Sequence, residues 1–346
     1  MSIQLMKRGF EMTTEAKIQL TSTDLGTLWM AYQSTCSTLI IFKVLMDKTI
    51  NKKAQNILTT YIADVQIVKD KILNLYNNEK VAIPIGFDEK HIVKEDAPLF
   101  DDIFNIMFLR QIMKINFGHS ALFAAMSYMN EVKEIIRLNY DIADKYYTLT
   151  TNFLSEKGVL SKPPYVSMPK KVELVEDKNY MSGFNLFSEK RALNTVEVGY
   201  ITEAIQSNIV GMQMMTAFAQ AGKEVEVKKH FIEGKELSKK IITDLSDLLL
   251  QSDIQPPSTW AGKATNSTIP PFTDKLMMFI TSLLSSAGIG YTAMGTSFSM
   301  RSDLHLKFAA IAKGIFDFSV AGGKIMIKHR WMEEPPQMED RNQLTK

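Results

Sequence analysis

The sequence predicts an all-α fold: two tandem four-helix bundles related by internal duplication. Three observations carry that expectation. Matched residues recur at a nearly constant offset, apolar residues recur at helical spacing in both copies, and no stretch shows the alternation of a strand.

The offset begins at Leu20-Thr21-Ser22-Thr23-Asp24-Leu25-Gly26, which aligns with Leu193-Asn194-Thr195-Val196-Glu197-Val198-Gly199, so that Gly26 and Gly199 stand 173 residues apart. Gln33-Ser34 and Gln206-Ser207 hold the same offset, as do Pro84 and Pro257. It then slips to 172 at Phe100-Asp101-Asp102 and Phe272-Thr273-Asp274, and stays there through Gly118 and Gly290 to Pro163-Pro164 and Pro335-Pro336. One slip across so long a span is the mark of a duplication.

Each copy reads as four helices. Leu25, Leu28, Tyr32, Cys36, Leu39 and Phe42 follow the three-and-four spacing of a buried face, and Val198, Ile201, Ile205, Ile209, Met212 and Met215 match them. Thr21 with Asp24, and Asn194 with Glu197, resemble capping boxes at the helix starts. The first helix is expected over about 22–48 and the second over about 52–78, its counterpart over about 224–251. Third helices are expected over about 99–127 and 271–299, and fourth helices run to about 158 and 331. Asn130-Glu131 and Ser302-Asp303 are read as the fourth helices' caps. A long connection, about 78–98 and 253–271, separates the two hairpins of each copy, which is the connectivity of a ferritin-like bundle. Phe87 and Trp260 are expected to pin it to the bundle wall. The implied division is an N-terminal segment 1–17, bundle one over 18–165, a linker over 166–190, bundle two over 191–337 and a tail over 338–346.

Composition excludes several classes. The chain has 346 residues, 45% apolar and 23% charged, with a net charge of +2, which offers no electrostatic case for nucleic acid. Its one cysteine, Cys36, rules out an internal disulfide and fits a reducing cytoplasm. Matched to Ile209, it reads as a small core residue. Lys7, Arg8 and Glu11 interrupt the first residues, so no secretory signal is expected. The run from Leu276 to Met300 is uncharged and long enough to span a bilayer, yet its counterpart carries Arg110, Lys114 and His119. A buried helix where the two bundles meet is therefore expected, with no transmembrane span.

No catalytic motif and no cofactor-binding pattern appears. A di-metal bundle needs Glu-x-x-His on two helices, and none exists. Glu226, His230 and Glu233 are the weak metal candidates, on a stretch that looks like a solvated face. His119 and Tyr291 occupy matched positions after Gly118 and Gly290; each is an aromatic with a polar handle, expected to hydrogen-bond within its core, and any small ligand is expected beside them.

The capped "T-S-T-D-L-G" and "N-T-V-E-V-G" starts, the crossover aromatic and the paired prolines resemble the family catalogued as domain of unknown function 3231, common in spore-forming bacilli. The likeness runs from about Ile18 to Pro336. It implies a ferritin-like fold, some relatives associated with spores, and no known activity. The functional expectation is a non-enzymatic structural or interaction protein, with the sporulation association that the resemblance implies, that binds a protein partner or itself. The alternatives are a carrier or sensor of a small apolar ligand, or a divergent carboxylate/His metalloprotein.

Overall fold

The computed structural model describes residues 19–93, 97–183, 190–258 and 262–345. The N-terminal segment and Trp260 lie outside them. Eight long helices form two halves: α1 (Ser22–Lys48), α2 (Lys52–Asn78), α3 (Asp102–Met126) and α4 (Asn130–Glu156), then α5 (Thr195–Ala221), α6 (Val225–Leu250), α7 (Asp274–Phe298) and α8 (Ser302–Lys328). A short α9 (Arg341–Leu344) follows in the exposed tail. In each half two hairpins pack together across a long crossover. Among the described residues the only β pairing is two isolated bridges.

Both expected capping boxes form, with Asp24 and Glu197 at the N3 positions of α1 and α5. The fourth helices start differently from the expectation. The N-caps of α4 and α8 are Met129 and Arg301, and neither makes a side-chain cap. Instead the Asp24 carboxylate reaches across the bundle and accepts from the N–H groups of Tyr128 and Met129 at 2.8 and 3.2 Å. Glu197 does the same for Met300 and Arg301 at 3.1 and 3.0 Å. A mirror arrangement holds the hairpin turns: Asp102 accepts from the Ile50 and Asn51 N–H groups, and Asp274 from those of Lys223 and Glu224. Free N–H groups at a helix start need acceptors, and here acids one hairpin away supply them.

The α2, α4, α6 and α8 ends also repeat. Lys80, Gly158, Asp253 and Arg330 adopt left-handed φ of 55, 69, 55 and 57°. The next residue's N–H then returns to a helix carbonyl, Val81 to Tyr76 and Trp331 to Met326 among them. This is the hydrogen bond of a Schellman cap.

The halves dock through their crossovers with a pseudo-two-fold relation. Ile92 bridges to Phe272 and Phe100 to Ala264, pairs that exchange under the offset of the duplication. The supporting bonds exchange likewise: Val93 N–H to the Pro271 carbonyl matches Thr265 N–H to the Leu99 carbonyl. Helix contacts follow suit, α1 against α7 and α3 against α5. Phe87 therefore packs beyond its own wall. It is 4.8 Å from the Phe279 ring of α7, with the Lys275 ammonium 5.3 Å above its own ring.

The two halves do not keep one separate core each. Buried apolar side chains run unbroken from the first half through Phe100 into Phe218, Phe272 and Leu276 of the second. Only the far end of the second half, around Ile205, Leu245 and Phe308, forms a separate cluster. The docked crossovers bring apolar residues of both halves into one layer. Helix α7 is long and apolar enough to cross a membrane. In this fold it packs on α5, α8 and α1, where the halves meet.

Candidate functional site

Helix α1 buries polar residues on several sides: Gln33, Thr35, Ser37 and Thr38 are all nearly inaccessible. The hydroxyls of Ser37 and Thr38 donate to the Ser34 carbonyl at 2.8 and 2.9 Å, so the helix satisfies them itself. Gln33 has no such recourse. It is 3% exposed, and its amide nitrogen has no partner. The Tyr61 hydroxyl on α2 is also buried, with the Thr38 hydroxyl as its neighbour.

Other atoms of both residues line a cavity of about 200 Å³, while the Gln33 nitrogen and Tyr61 hydroxyl themselves have no surface open to it. Trp29, Gln33, Ser34 and Thr38 line it from α1, Tyr61 and Val65 from α2, Asn116, His119 and Phe123 from α3, and Asn139 from α4. The remaining wall comes from the other half: Phe279, Ser282, Leu283 and Ser286 of α7. No charged side chain lines it. His119, half-buried, stacks on Phe123 at 5.5 Å. Burial holds its pKa below the ordinary value, which favours the neutral ring.

The duplication places a second cavity, of about 70 Å³, in the other half. Ser207 stands for Ser34, Gly234 for Tyr61, Gly288 for Asn116 and Tyr291 for His119. Gln111 of α3 closes it as Leu283 of α7 closes the first, donating to the Ser207 hydroxyl at 3.2 Å. Neighbours have collapsed into the space that its glycines leave: a Cβ on Gly234 would stand 2.7 Å from the Phe318 ring. His119 and Tyr291 thus line two repeat-related cavities rather than one site. Among the described residues neither makes the hydrogen bond expected of it.

Gln33 and Gln206 are repeat partners with opposite fates. Gln206 donates through its amide nitrogen to the Ser161 carbonyl at 3.1 Å, in the segment that follows α4. The segment that follows α8 is held elsewhere. There the Glu333 carboxylate accepts from Ile85 and Gly86 N–H at 2.7 and 2.8 Å. The sequence showed Gln33-Ser34 as a repeat marker.

A family model described as protein of unknown function (DUF3231) matches residues 9–172 and again 181–344. The chain belongs to the DUF3231 family. No curated protein matches it. Among solved structures it is similar to a candidate spore coat protein from Bacillus halodurans C-125, at 19% identity and a TM-score of 0.40, covering 43% of this chain and 98% of that one.

The metal candidates of this DUF3231 chain do not converge. Glu226 accepts from Lys328 at 2.8 Å and lies 2.7 Å from the His329 ring nitrogen. His230 is buried rather than solvated. It stacks on Phe318 at 4.1 Å, and burial pushes its pKa down to about 4. Glu233 is half-exposed and faces Lys229 at 3.9 Å. Among the described residues no group of three His, Cys, Asp or Glu is placed to hold a metal ion. The apolar stripe of α6 turns His230 inward while its acidic neighbours stay on the outer face. Cys36 is buried as expected, and burial raises its pKa.

Sequence reasoning missed the charged side of the seam. The Lys114 ammonium of α3 meets both Glu203 oxygens of α5 at 2.8 and 2.6 Å, with Lys114 only 12% exposed. Burial lowers the Lys114 pKa against the opposing pull of Glu203. Their repeat counterparts are Ser286 and Met30, so the opposite seam is uncharged and holds the larger cavity.

Proposed function

We propose that this DUF3231 protein is a non-enzymatic binding protein whose first half holds a small neutral ligand at the seam between α1, α3 and α7. One observation carries this reading: a cavity of about 200 Å³, walled by both halves and lined by no charged side chain. Neutral walls suit carriage or sensing, and no hydrogen bond couples His119 to a hydroxyl as a nucleophile would require. The test is titration with toluene, followed by thermal unfolding and amide NMR. The melting temperature should rise with toluene concentration, as it does for any molecule that binds only the folded state. Leu283→Trp, which fills the cavity, should abolish the rise. No shift up to the solubility limit of toluene would overturn the reading.

A second reading is a structural or interaction protein tied to sporulation, acting in the cytoplasm or spore through self-association. It is favoured by the extended segment after α4, where Tyr165, Met168, Val172 and Leu174 are 92, 76, 93 and 83% exposed. Exposed apolar patches of this kind mark contact surfaces. Light scattering on the full chain tests it. A dimer that Val172→Lys and Leu174→Lys dissolve would support it, and a monomer at high micromolar concentration would end it.

A further inference from the structure

We infer that copies of this chain join through two charged, extended segments: the acidic tail after α8 of one copy seats on the basic segment after α4 of a second. The inference rests on the self-association reading above and names the surfaces that meet.

The two segments occupy the same repeat position and carry opposite charge. After α4 come Lys157, Lys162, Lys170 and Lys171, with no acidic residue between Glu156 and Glu173. After α8 come Glu333, Glu334, Glu339 and Asp340, with no lysine or arginine between Arg330 and Arg341. Lys162 and Glu334 are repeat partners, each followed by its paired prolines. Divergence of the copies has turned one duplicated segment into two complementary ones.

The charges find no use within the chain. Each segment is anchored just before them: Gln206 holds the Ser161 carbonyl, and the Ile85 and Gly86 N–H groups hold the Glu333 carboxylate. Beyond those anchors, residues 162–176 and 334–340 are exposed and belong to no helix or strand. The tail sits at the crossover of the first half, whereas residues 158–165 line a cleft with residues 255–258 of the second. Among the described residues no ion pair joins the two segments, and Lys162, Lys170 and Glu339 have no charged partner.

A second copy supplies the missing charges. Complementary charge steers association and fixes its register, while each exposed pair tightens it only about two- to fivefold. Apolar contact adds to them: Tyr165, Val166 and Met168 on the basic segment and Met338 on the acidic one are all exposed. The contact joins unlike patches, so two copies exchange it reciprocally or pass it along a chain.

Light scattering and analytical centrifugation of the full chain across sodium chloride test the inference. Raising the salt from about 0.1 to about 1 M shortens the Debye length from about 10 to about 3 Å. The wild-type dissociation constant should rise at least about tenfold over that range. Lys162→Glu with Lys170→Glu and Lys171→Glu makes both segments acidic. Glu334→Lys with Glu339→Lys and Asp340→Asn turns the tail basic and keeps a cap on α9. Each triple variant alone should be monomeric at low salt. Mixed in equal amounts they should associate again, because each then offers the charge that the other lacks. An oligomer unmoved by salt and by both variants, or a mixture that stays monomeric, would overturn this contact while leaving self-association in place. A wild-type chain that is monomeric at every salt concentration would overturn the self-association reading itself.

Discussion

Glu197 Oε1 accepts the backbone N–H of Arg301 at 3.0 Å, so the carboxylate that caps α5 also starts α8. Arg191 clamps the same carboxylate at 2.7 and 2.8 Å, and the side chain is wholly inaccessible. Asp24 performs the equivalent task in the first half without an arginine.

Burial opposes the charge on Glu197, yet the bonds from Arg191, Asn194, Arg301 and Met300 prevail and hold its pKa down to about 2, against 4.5 for the free group. A depressed carboxylate contributes stability that is fully present above the unfolded pKa and lost as pH falls through the folded one. Asp24 is shifted the same way. Urea midpoints should therefore drop between about pH 4.5 and 2, and Glu197→Gln should flatten that drop. Glu197→Ala, which leaves Arg191 and two N–H groups without their acceptor, should cost about 3–5 kcal/mol in urea unfolding at pH 7.

Asp274 joins the α5–α6 turn to the start of α7 through the Lys223 and Glu224 N–H groups. Its truncation to alanine should cost about 1–2 kcal/mol, as for loss of a local N-cap. Asp102→Ala should cost a similar amount. Hydrogen exchange should report faster exchange at Lys223 and Glu224 in the first variant, and at Ile50 and Asn51 in the second. Protection unchanged at those amides would contradict the geometry.

Arg330 and Asp253 adopt a left-handed backbone that disfavours side chains, whereas Gly158 fills the matching position of α4 without strain. Arg330→Gly should stabilise the protein by about 1 kcal/mol, and Gly158→Ala should destabilise it by a similar amount. Thermal unfolding of the two variants should move in opposite directions.

Lys114 and Glu203 form the one-sided ionic contact of the seam. Lys114→Met should cost about 3 kcal/mol, because a part-buried carboxylate loses its counter-charge. Pairing it with Glu203→Leu should recover more than half of that loss. A double variant as unstable as the single one would show that the ammonium acts through packing alone.

Much of this architecture was legible beforehand. Leu28, Tyr32, Cys36, Leu39 and Phe42 of the expected α1 stripe are buried. The capping boxes of α1 and α5 form where Thr21 and Asn194 announce them. The starts of α4 and α8 were misread because Asn130 and Ser302 look like local caps, while the acceptors that act lie on α1 and α5. The candidate site was legible only in outline. His119 and Tyr291 face cavities, but the pairing of Lys114 with Glu203, the α7 wall and the unpartnered state of Gln33 leave no local trace.

Helix order, the duplication and the box-capped starts were determined by the chain alone, because caps and 3.6-residue periodicity act between neighbours a turn or two apart. The docking of the crossovers, the core shared across both halves and the unequal cavities were decided by the tertiary structure. Gln33 and Gln206 are the same residue at the same repeat position, yet one meets the Ser161 carbonyl and the other meets none. Whether a buried amide finds a partner depends on segments far away in the chain, and only the assembled fold brings those segments to it.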